Sequence, residues 1–443
     1  MDKKTETKWP ERISYGLSDA ADNLVFQVMT TYLLFFYTDV YGLAPGAVAI
    51  LFVVARIADT LESLLIGIMI DRTHSRFGKS RPFFLWYALP YVAFAILTFV
   101  TPAFSATGKL IWAYVTYLGL GFFYTAVNVP ITSVLPTMTQ NGRELTLLGV
   151  IRQFCGSSVQ IVVAIFTLPL VALLGQGDQK QGFLLTICVF GVISLFLILN
   201  TFFQIHERYT SEDLSHQPFK KVVQMLGRNK QWLTISVVIF LYWLVTAIKN
   251  QTTIYYFKYV LHDEQLVPLA NSFTLTALVG VLLIMHLTSL RSKKQTMSIG
   301  IILAFGGQCL LSVGVYGSWL PVLFSGIMLN SIGHGIIVGL VSIMIADTIR
   351  YGMTMGIQAE GVLASTDDLG VNLGLGLGGL ITAGLFHLSG YLPNHAQNTA
   401  TLHMINLNYV WLPLIIYFLM LLVLHLYYDE TKMQQALKKG YRP

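Results

Sequence analysis

The chain has 443 residues, of which 54% are hydrophobic and only 11% charged, against roughly 25% charged in soluble domains. A mean hydropathy of +0.63 leaves too little polar surface to cover a water-soluble globule. The formal charge of +6 is scattered through short loops between apolar runs, which argues against a nucleic-acid-binding face.

The polar start, MDKKTETKWPERIS, leads into an apolar run far longer than a signal core, so no cleaved signal peptide is expected. A bilayer core takes about 20 apolar residues. Runs of that length or more lie at 13–43, 45–70, 82–104, 108–139, 146–175 and 182–205. After a long polar connection they resume at 231–260, 266–288, 296–318, 320–348, 360–391 and 407–428. The pattern predicts an all-α polytopic membrane protein with twelve transmembrane helices. It divides into an N-terminal six-helix bundle (1–205), a linker (206–230), a C-terminal six-helix bundle (231–428) and a tail (429–443). Pro130 and Pro136 predict kinks in the fourth span.

With both termini on the cytoplasmic side, 22 of the 28 Lys and Arg residues fall in inner loops and tails. Lys109, Lys180 and Lys258 fall outside, and Arg56, Arg152 and Lys249 lie within spans. That positive-inside bias sets the topology. Cys155, Cys188 and Cys309 all sit in apolar segments without CxxC spacing, so they read as buried reduced thiols.

The second span runs into a basic loop, RIADTLESLLIGIMIDRTHSRFGKSRP (56–82). Arg56, Asp59 and Glu62 fall on one stripe of its helix. Charge at bilayer depth is costly and is usually kept for an ion path, a substrate site or an internal pair. Arg56 reads as a neutraliser of Asp59 or Asp19. Asp59 and Glu62, one turn apart, repel each other, which suits a shared proton or a bound cation.

A rise of about 1.5 Å per residue places Asp19, Asp22, Asn23, Asp59, Glu62, Asn128, Arg152, Asp367, Asp368 and Asn372 in one layer. That layer lies roughly 10–18 Å above the inner boundary of a core about 30 Å thick. Spans 1, 2, 4, 5 and 11 thus converge, and a central hydrophilic cavity between two bundles is expected. Arg152 is either a structural counter-charge or a fork for sugar hydroxyls. Asn128 is a ligand or a residue of the Pro130 kink. Adjacent Asp367 and Asp368 point about 100° apart, so at most one faces a ligand. Tyr124 offers a ring for stacking on a sugar. His334 reads as a hydrogen-bonded packing residue, and Lys249 either snorkels outward or answers a carboxylate.

Gly370, Gly374 and Gly378, with Gly376 between and Gly379 just after, form a close-packing face in lipid. The basic turn of loop 2/3 recurs as SLRSKKQT between spans 8 and 9, a faint internal repeat. The absence of GxxxxGK[ST] excludes direct ATP drive, and no nucleophile–base pair or metal motif suggests an enzyme.

GIMIDRTHSRFGKSRP (67–82) resembles the loop 2/3 signature of the major facilitator superfamily, G-xxx-D-R-xxx-R-x-G-K. SYGLSDAADN (14–23), LLFFYTDVYGL (33–43), ARIADTLES (55–63), YTAVNVP (124–130), IYYFKYVL (254–261) and IADTIRYGMTMGIQAEG (345–361) narrow the likeness. The chain resembles, over nearly its full length, the melibiose-permease-like glycoside–pentoside–hexuronide:cation symporters. The resemblance implies two pseudo-symmetric six-helix bundles of the major facilitator fold. It also implies import of a glycoside, pentoside or small oligosaccharide by alternating access.

On this resemblance Asp59 matches the cation-site aspartate, with Glu62 and Ser63 where melibiose carriers have Asn and a second Asp. Asn23 and Asn128 stand for two sugar-binding aspartates, Arg152 for the sugar-site arginine and Thr132 for a stacking Trp. Asn372 replaces a coupling lysine, and Asp367 and Asp368 replace a Gln–Thr pair. Asp19, Asp22 and Tyr124 complete the expected sugar site, and Asp71, Arg72, Arg76, Gly78 and Lys79 form the gating loop. The coupling ion would be H+ or Na+, with the proton favoured because two carboxyls can share one. No cofactor, no metal beyond a possible Na+ and no nucleic acid are expected. The chain is expected as a monomer in the cytoplasmic membrane with both termini inside. The alternatives are a carrier or exporter of a non-sugar amphipathic or anionic solute, or a transport-dead sugar sensor.

Overall fold

In lipid every backbone polar group must find its partner within the segment or in a closed barrel, so long apolar runs become helices. The computed structural model describes residues 7–139, 141–209, 229–354, 366–433 and 435. The first half holds α1 (Trp9–Phe35), α2 (Pro45–Arg72), α3 (Arg81–Phe99), α4 (Ala106–Met138), α5 (Gly142–Gly175) and α6 (Gln179–Gln204). The second holds α7 (Lys230–Tyr255), α8 (Leu266–Leu290), α9 (Lys293–Gly317), α10 (Leu320–Thr354), α11 (Thr366–Leu388) and α12 (Thr399–Tyr427). α8 contains one 3-10 turn, and α12 one π turn at Leu407–Trp411.

The apolar runs locate these helices to within a few residues. The larger departures are α10, which ends six residues past its run, at Thr354 rather than 348, and α12, which begins eight residues before its run, at Thr399 rather than 407. Asn398 caps it by accepting from Thr401 N at 2.7 Å. A cap can start a helix on polar sequence that hydropathy passes over. α4 continues as helix through Pro130 and Pro136.

Among the described residues ten helices are long and apolar enough to cross a membrane. α1 and α2, at 27 and 28 residues, have the length but not the apolarity. Every 18-residue stretch of α2 contains Arg56, Asp59 and Glu62. The residues that make the site interesting are what hold α2 below the measure.

The helical chain divides into two compact units. One comprises residues 1–214 with 392–395, the other 215–391 with 396–443. In the first, α1 packs mainly on α5 and α6, α3 on α4 and α6, and α2 on α4. In the second, α7 packs on α11 and α12, and α10 on α8 and α9. The glycine face of α11 seats directly on α7. A Cβ at Gly374 would lie 2.6 Å from Trp243 Cβ and 2.8 Å from Leu244 N. It is a close-packing surface, as small residues in lipid predict.

The first helix of each unit ends in the same way. α1 closes in a π turn, Phe36–Val40, and α7 in another, Tyr256–Val260. Tyr41 N donates to Phe36 O (2.8 Å) and Leu43 N to Tyr37 O (2.7 Å). Leu261 N donates to Tyr256 O (3.1 Å) and Asp263 N to Phe257 O (2.9 Å). The left-handed residue sits at the same place in both, Gly42 at φ 80° and His262 at φ 57°. FFYTDVYGL and YYFKYVLHD thus encode one duplicated helix end.

Candidate functional site

Helical spacing dictates the first cluster. Asp19, Asp22 and Asn23 share a face of α1, Asn128 and Thr132 a face of α4, and Arg152, Gly156 and Gln160 a stripe of α5. Arg152 Nε lies 3.1 Å from Asp19 Oδ1, and Arg152 Nη1 donates to Thr132 Oγ1 at 3.2 Å. Asn23 Nδ2 reaches Asp19 Oδ2 at 3.2 Å, and Gln160 Nε2 donates to Asn23 Oδ1 at 2.6 Å. The result is a polar chain, Thr132–Arg152–Asp19–Asn23–Gln160, across three helices.

Gly156 makes the close approach possible, since a Cβ there would lie 2.0 Å from Asp19 Oδ2. The side chains of Arg152 and Asp19 keep 32% and 15% of their surface exposed, so a ligand can reach them. Beside them Asp22 is only 1% exposed. Asn128 Nδ2 donates to its Oδ2 at 2.5 Å, Tyr91 OH donates to its backbone carbonyl at 3.1 Å, and its Oδ1 has no hydrogen-bond partner among the described residues. The Tyr124 ring stacks on Phe26 with centroids 5.1 Å apart. Gln160 and Tyr91 were not foreseen. The four-residue step Arg152–Gly156–Gln160 was the available signal for the former.

A second cluster is built from α2 and α4. Arg56 Nη1 lies 3.0 Å from Asp59 Oδ2, which answers the choice left open between Asp59 and Asp19. Arg56 Nη2 also reaches Tyr117 OH at 3.5 Å. Asp59 and Glu62 converge on Gly121. A Cβ at that position would stand 3.2 Å from Asp59 Oδ1 and 3.5 Å from Glu62 Oε2. Glu62 Oε2 is buried with no hydrogen-bond partner among the described residues. Ser63 spends its hydroxyl proton on Asp59 O at 2.9 Å, back-bonding along its own helix. The described residues contain no group of three or more His, Cys, Asp or Glu able to hold a metal. A carboxylate pair alone suits a proton or a monovalent cation.

The loop after α2 is pinned by a residue the sequence reading missed. Glu207 accepts from three successive backbone N–H groups, Lys79 (3.0 Å), Ser80 and Arg81 (both 2.8 Å). Gly78 sits at φ 110°, and a Cβ there would fall 2.4 Å from Glu207 Cδ. Glycine is needed for both the backbone angle and the carboxylate's approach. Arg72 is exposed, and Arg76 lies over the Phe77 ring at 4.7 Å. The side chain of Asp71 lies outside the described residues.

In the second unit Asn372 is exposed on α11, while the side chains of Asp367 and Asp368 lie outside the described residues. Lys249 neither snorkels nor meets a carboxylate. Its Nζ donates to Asn330 Oδ1 (2.5 Å) and Gln308 Oε1 (3.1 Å). The low polarity of the bundle interior makes amide oxygens the available acceptors. His334 hydrogen-bonds Tyr417 OH and packs on Tyr242, as expected of a packing residue. The three cysteines are unpaired but half-buried, not buried, because their helix faces are only partly covered.

A family model described as MFS/sugar transport protein matches residues 14–429. The chain is 38% identical over 435 residues to the isoprimeverose transporter of Lactiplantibacillus pentosus, covering 97% of this chain and 91% of that one. It is 33% identical over 436 residues to the uncharacterized symporter YnaJ of Bacillus subtilis (strain 168), covering 97% and 94%. Among solved structures, a D-xylose–proton symporter superposes with a TM-score of 0.70 at 13% identity, covering 96% of this chain and 99% of that one. At that identity the likeness shows the fold, that of the major facilitator transporters.

Proposed function

The chain belongs to the MFS/sugar transport protein family, and from that premise we propose that it imports a glycoside, pentoside or small oligosaccharide by cation symport. The observation that carries this reading is the hydrogen-bonded array Thr132–Arg152–Asp19–Asn23–Gln160. A sugar hydroxyl both donates and accepts, and this array offers donors and acceptors a few ångströms apart on three helices. The guanidinium supplies a planar fork of donors, and the carboxylate and amides supply acceptors.

Asp59 and Glu62 over Gly121 would bind the coupling ion. Two carboxyls sharing a small space can hold one proton between them, which favours H+ over Na+. Asn372, Asp367 and Asp368 would add polar groups from α11. Alternating access would couple the two ligands, since each can shift the conformational balance only by its differential affinity for the two states. The carrier would work as a monomer in the cytoplasmic membrane, both termini inside. The isoprimeverose transporter at 38% identity supports a pentose-containing substrate.

The deciding experiment is uptake of isoprimeverose and radiolabelled pentosides, galactosides and glucuronides into vesicles with imposed proton or sodium gradients. An inward gradient of one of these ions should accelerate uptake of at least one sugar. If neither gradient accelerates any of them, the symport reading is lost.

A further inference from the structure

Within the first unit the spans carry two guanidinium groups and four carboxyl groups at site depth. Arg152 is held by Asp19 at 3.1 Å and Arg56 by Asp59 at 3.0 Å. Asp22 and Glu62 form no ion pair among the described residues. Both intramembrane cations are thus answered, and carboxyl groups are in excess. The Asp19 position is also a built one. Arg152 holds one of its oxygens, Asn23 the other, and the bare α carbon of Gly156 leaves the space it fills.

We infer that Asp19 is a specificity-determining residue, which by neutralising Arg152 selects uncharged glycosides and turns away uronides and other acidic sugars. The inference rests on the transport reading of this site. A neutral sugar hydroxyl can donate to a carboxylate oxygen while accepting from the adjoining guanidinium, so it needs no free charge. An acidic sugar seeking the same fork finds its Nε edge occupied by a carboxylate. Like charges brought together in a part-buried site repel far more strongly than in water. Built-in repulsion of this kind is how a site rejects a near-isostere.

The test uses the full-length chain in lipid nanodiscs and three probes: p-nitrophenyl β-xyloside, β-glucoside and β-glucuronide. The last two differ only at C6, hydroxymethyl against carboxylate. The glucuronide should bind the wild-type chain at least about tenfold more weakly than the tighter neutral probe, the scale set by like-charge juxtaposition at interfaces. Asp19→Asn, which removes the carboxylate charge beside Arg152, should shift the glucuronide-to-neutral ratio by about tenfold or more towards the glucuronide. The double variant Asp19→Asn with Arg152→Gln should lose that gain.

Equal or tighter glucuronide binding by the wild type overturns the inference while leaving sugar transport standing. So does a ratio unmoved by Asp19→Asn, the outcome that steric exclusion of C6 would give. Binding of none of the three probes overturns the inference, and the uptake assay then decides the transport reading separately. Should Asp19→Asn fail to elute as a folded species, Arg152→Gln decides. Leaving Asp19 unopposed, it should weaken the glucuronide further relative to the neutral probes, and an unchanged ratio overturns the inference.

Discussion

Glu207 and Glu430 hold equivalent posts in their two units. Each follows the last helix of its unit, and each carboxylate accepts from backbone N–H groups where the third helix begins. Glu207 takes Lys79, Ser80 and Arg81 at the start of α3. Glu430 takes Lys293 (3.2 Å) and Lys294 (2.8 Å) at the start of α9. The first N–H groups of a helix have no partner within it and carry partial positive charge, so a carboxylate is a natural cap. Together with the paired π turns, this gives the faint repeat of two basic loops a structural meaning. Each unit ties its last helix back to its third.

That tie makes the loop signature testable. Glu207→Ala should leave several backbone donors short of a partner, at about 1–3 kcal/mol for such a loss, and lower the thermal midpoint. Gly78→Ala should also destabilise, because its Cβ would collide with the Glu207 carboxylate. The double variant should lose less than the two single losses added, since both act on one contact. Thermal unfolding of the four proteins measures this, and strict additivity would contradict the tie.

At the carboxylate pair, Asp59→Asn should abolish accumulation against a gradient while leaving downhill exchange. Gly121→Val should resemble it with both acids intact, because its Cβ stands 3.2 Å from Asp59 Oδ1 before the branch is added. Uptake with and without an imposed ion gradient separates the two activities. Wild-type accumulation by Gly121→Val would show that the ion binds elsewhere.

Gly156→Ala should displace Asp19 from Arg152, since the new Cβ would overlap Asp19 Oδ2. Overpacking of this sort costs about 1–3 kcal/mol. With the pair displaced the sugar should lose a hydrogen bond to a charged group, about 1.5–3 kcal/mol, so its affinity should fall by one to two orders of magnitude. Titration calorimetry with the transported sugar reads it directly, and an unchanged affinity would remove the Asp19–Arg152 pair from the sugar site.

Glu144, at the start of α5, gives a pH prediction. Burial disfavours its charge, but hydrogen bonds from Thr7, Arg12 and Thr139 outweigh this and hold its carboxyl below the ordinary 4.5. Arg12 Nη2 lies 3.1 Å from Oε1, Thr139 Oγ1 donates to Oε2 at 3.1 Å, and Thr7 donates from its backbone N–H at 2.7 Å and from its hydroxyl. A depressed pKa contributes stability above the unfolded value, lost as pH falls through the folded one. The thermal midpoint should therefore drop as pH falls below about 4.5, with Glu144→Gln less stable at neutral pH and flatter in that window. Parallel pH curves for the two proteins would contradict this.

Helix positions were legible in the sequence because lipid makes helix formation a local matter. Each backbone group pairs four residues away, so an apolar run shows where a helix lies without reference to the rest of the chain. The acidic and amide residues of α1, α2 and α4, and Arg152 of α5, were legible too, because polar and charged groups inside an apolar run are conspicuous and costly. Their pairing was not. Asp19 and Arg152 are 133 residues apart, and Arg56 had two carboxylates to choose between. Lys249 finds amides on two other helices, and Glu207 finds a loop 126 to 128 residues away. Such choices turn on how each helix is rotated against its neighbours and where a glycine lets two of them touch. The sequence alone determined a polytopic helical membrane protein with polar groups at depth. Only the tertiary packing decided which of those groups meet, because side-chain contacts between helices depend on positions that no local pattern encodes.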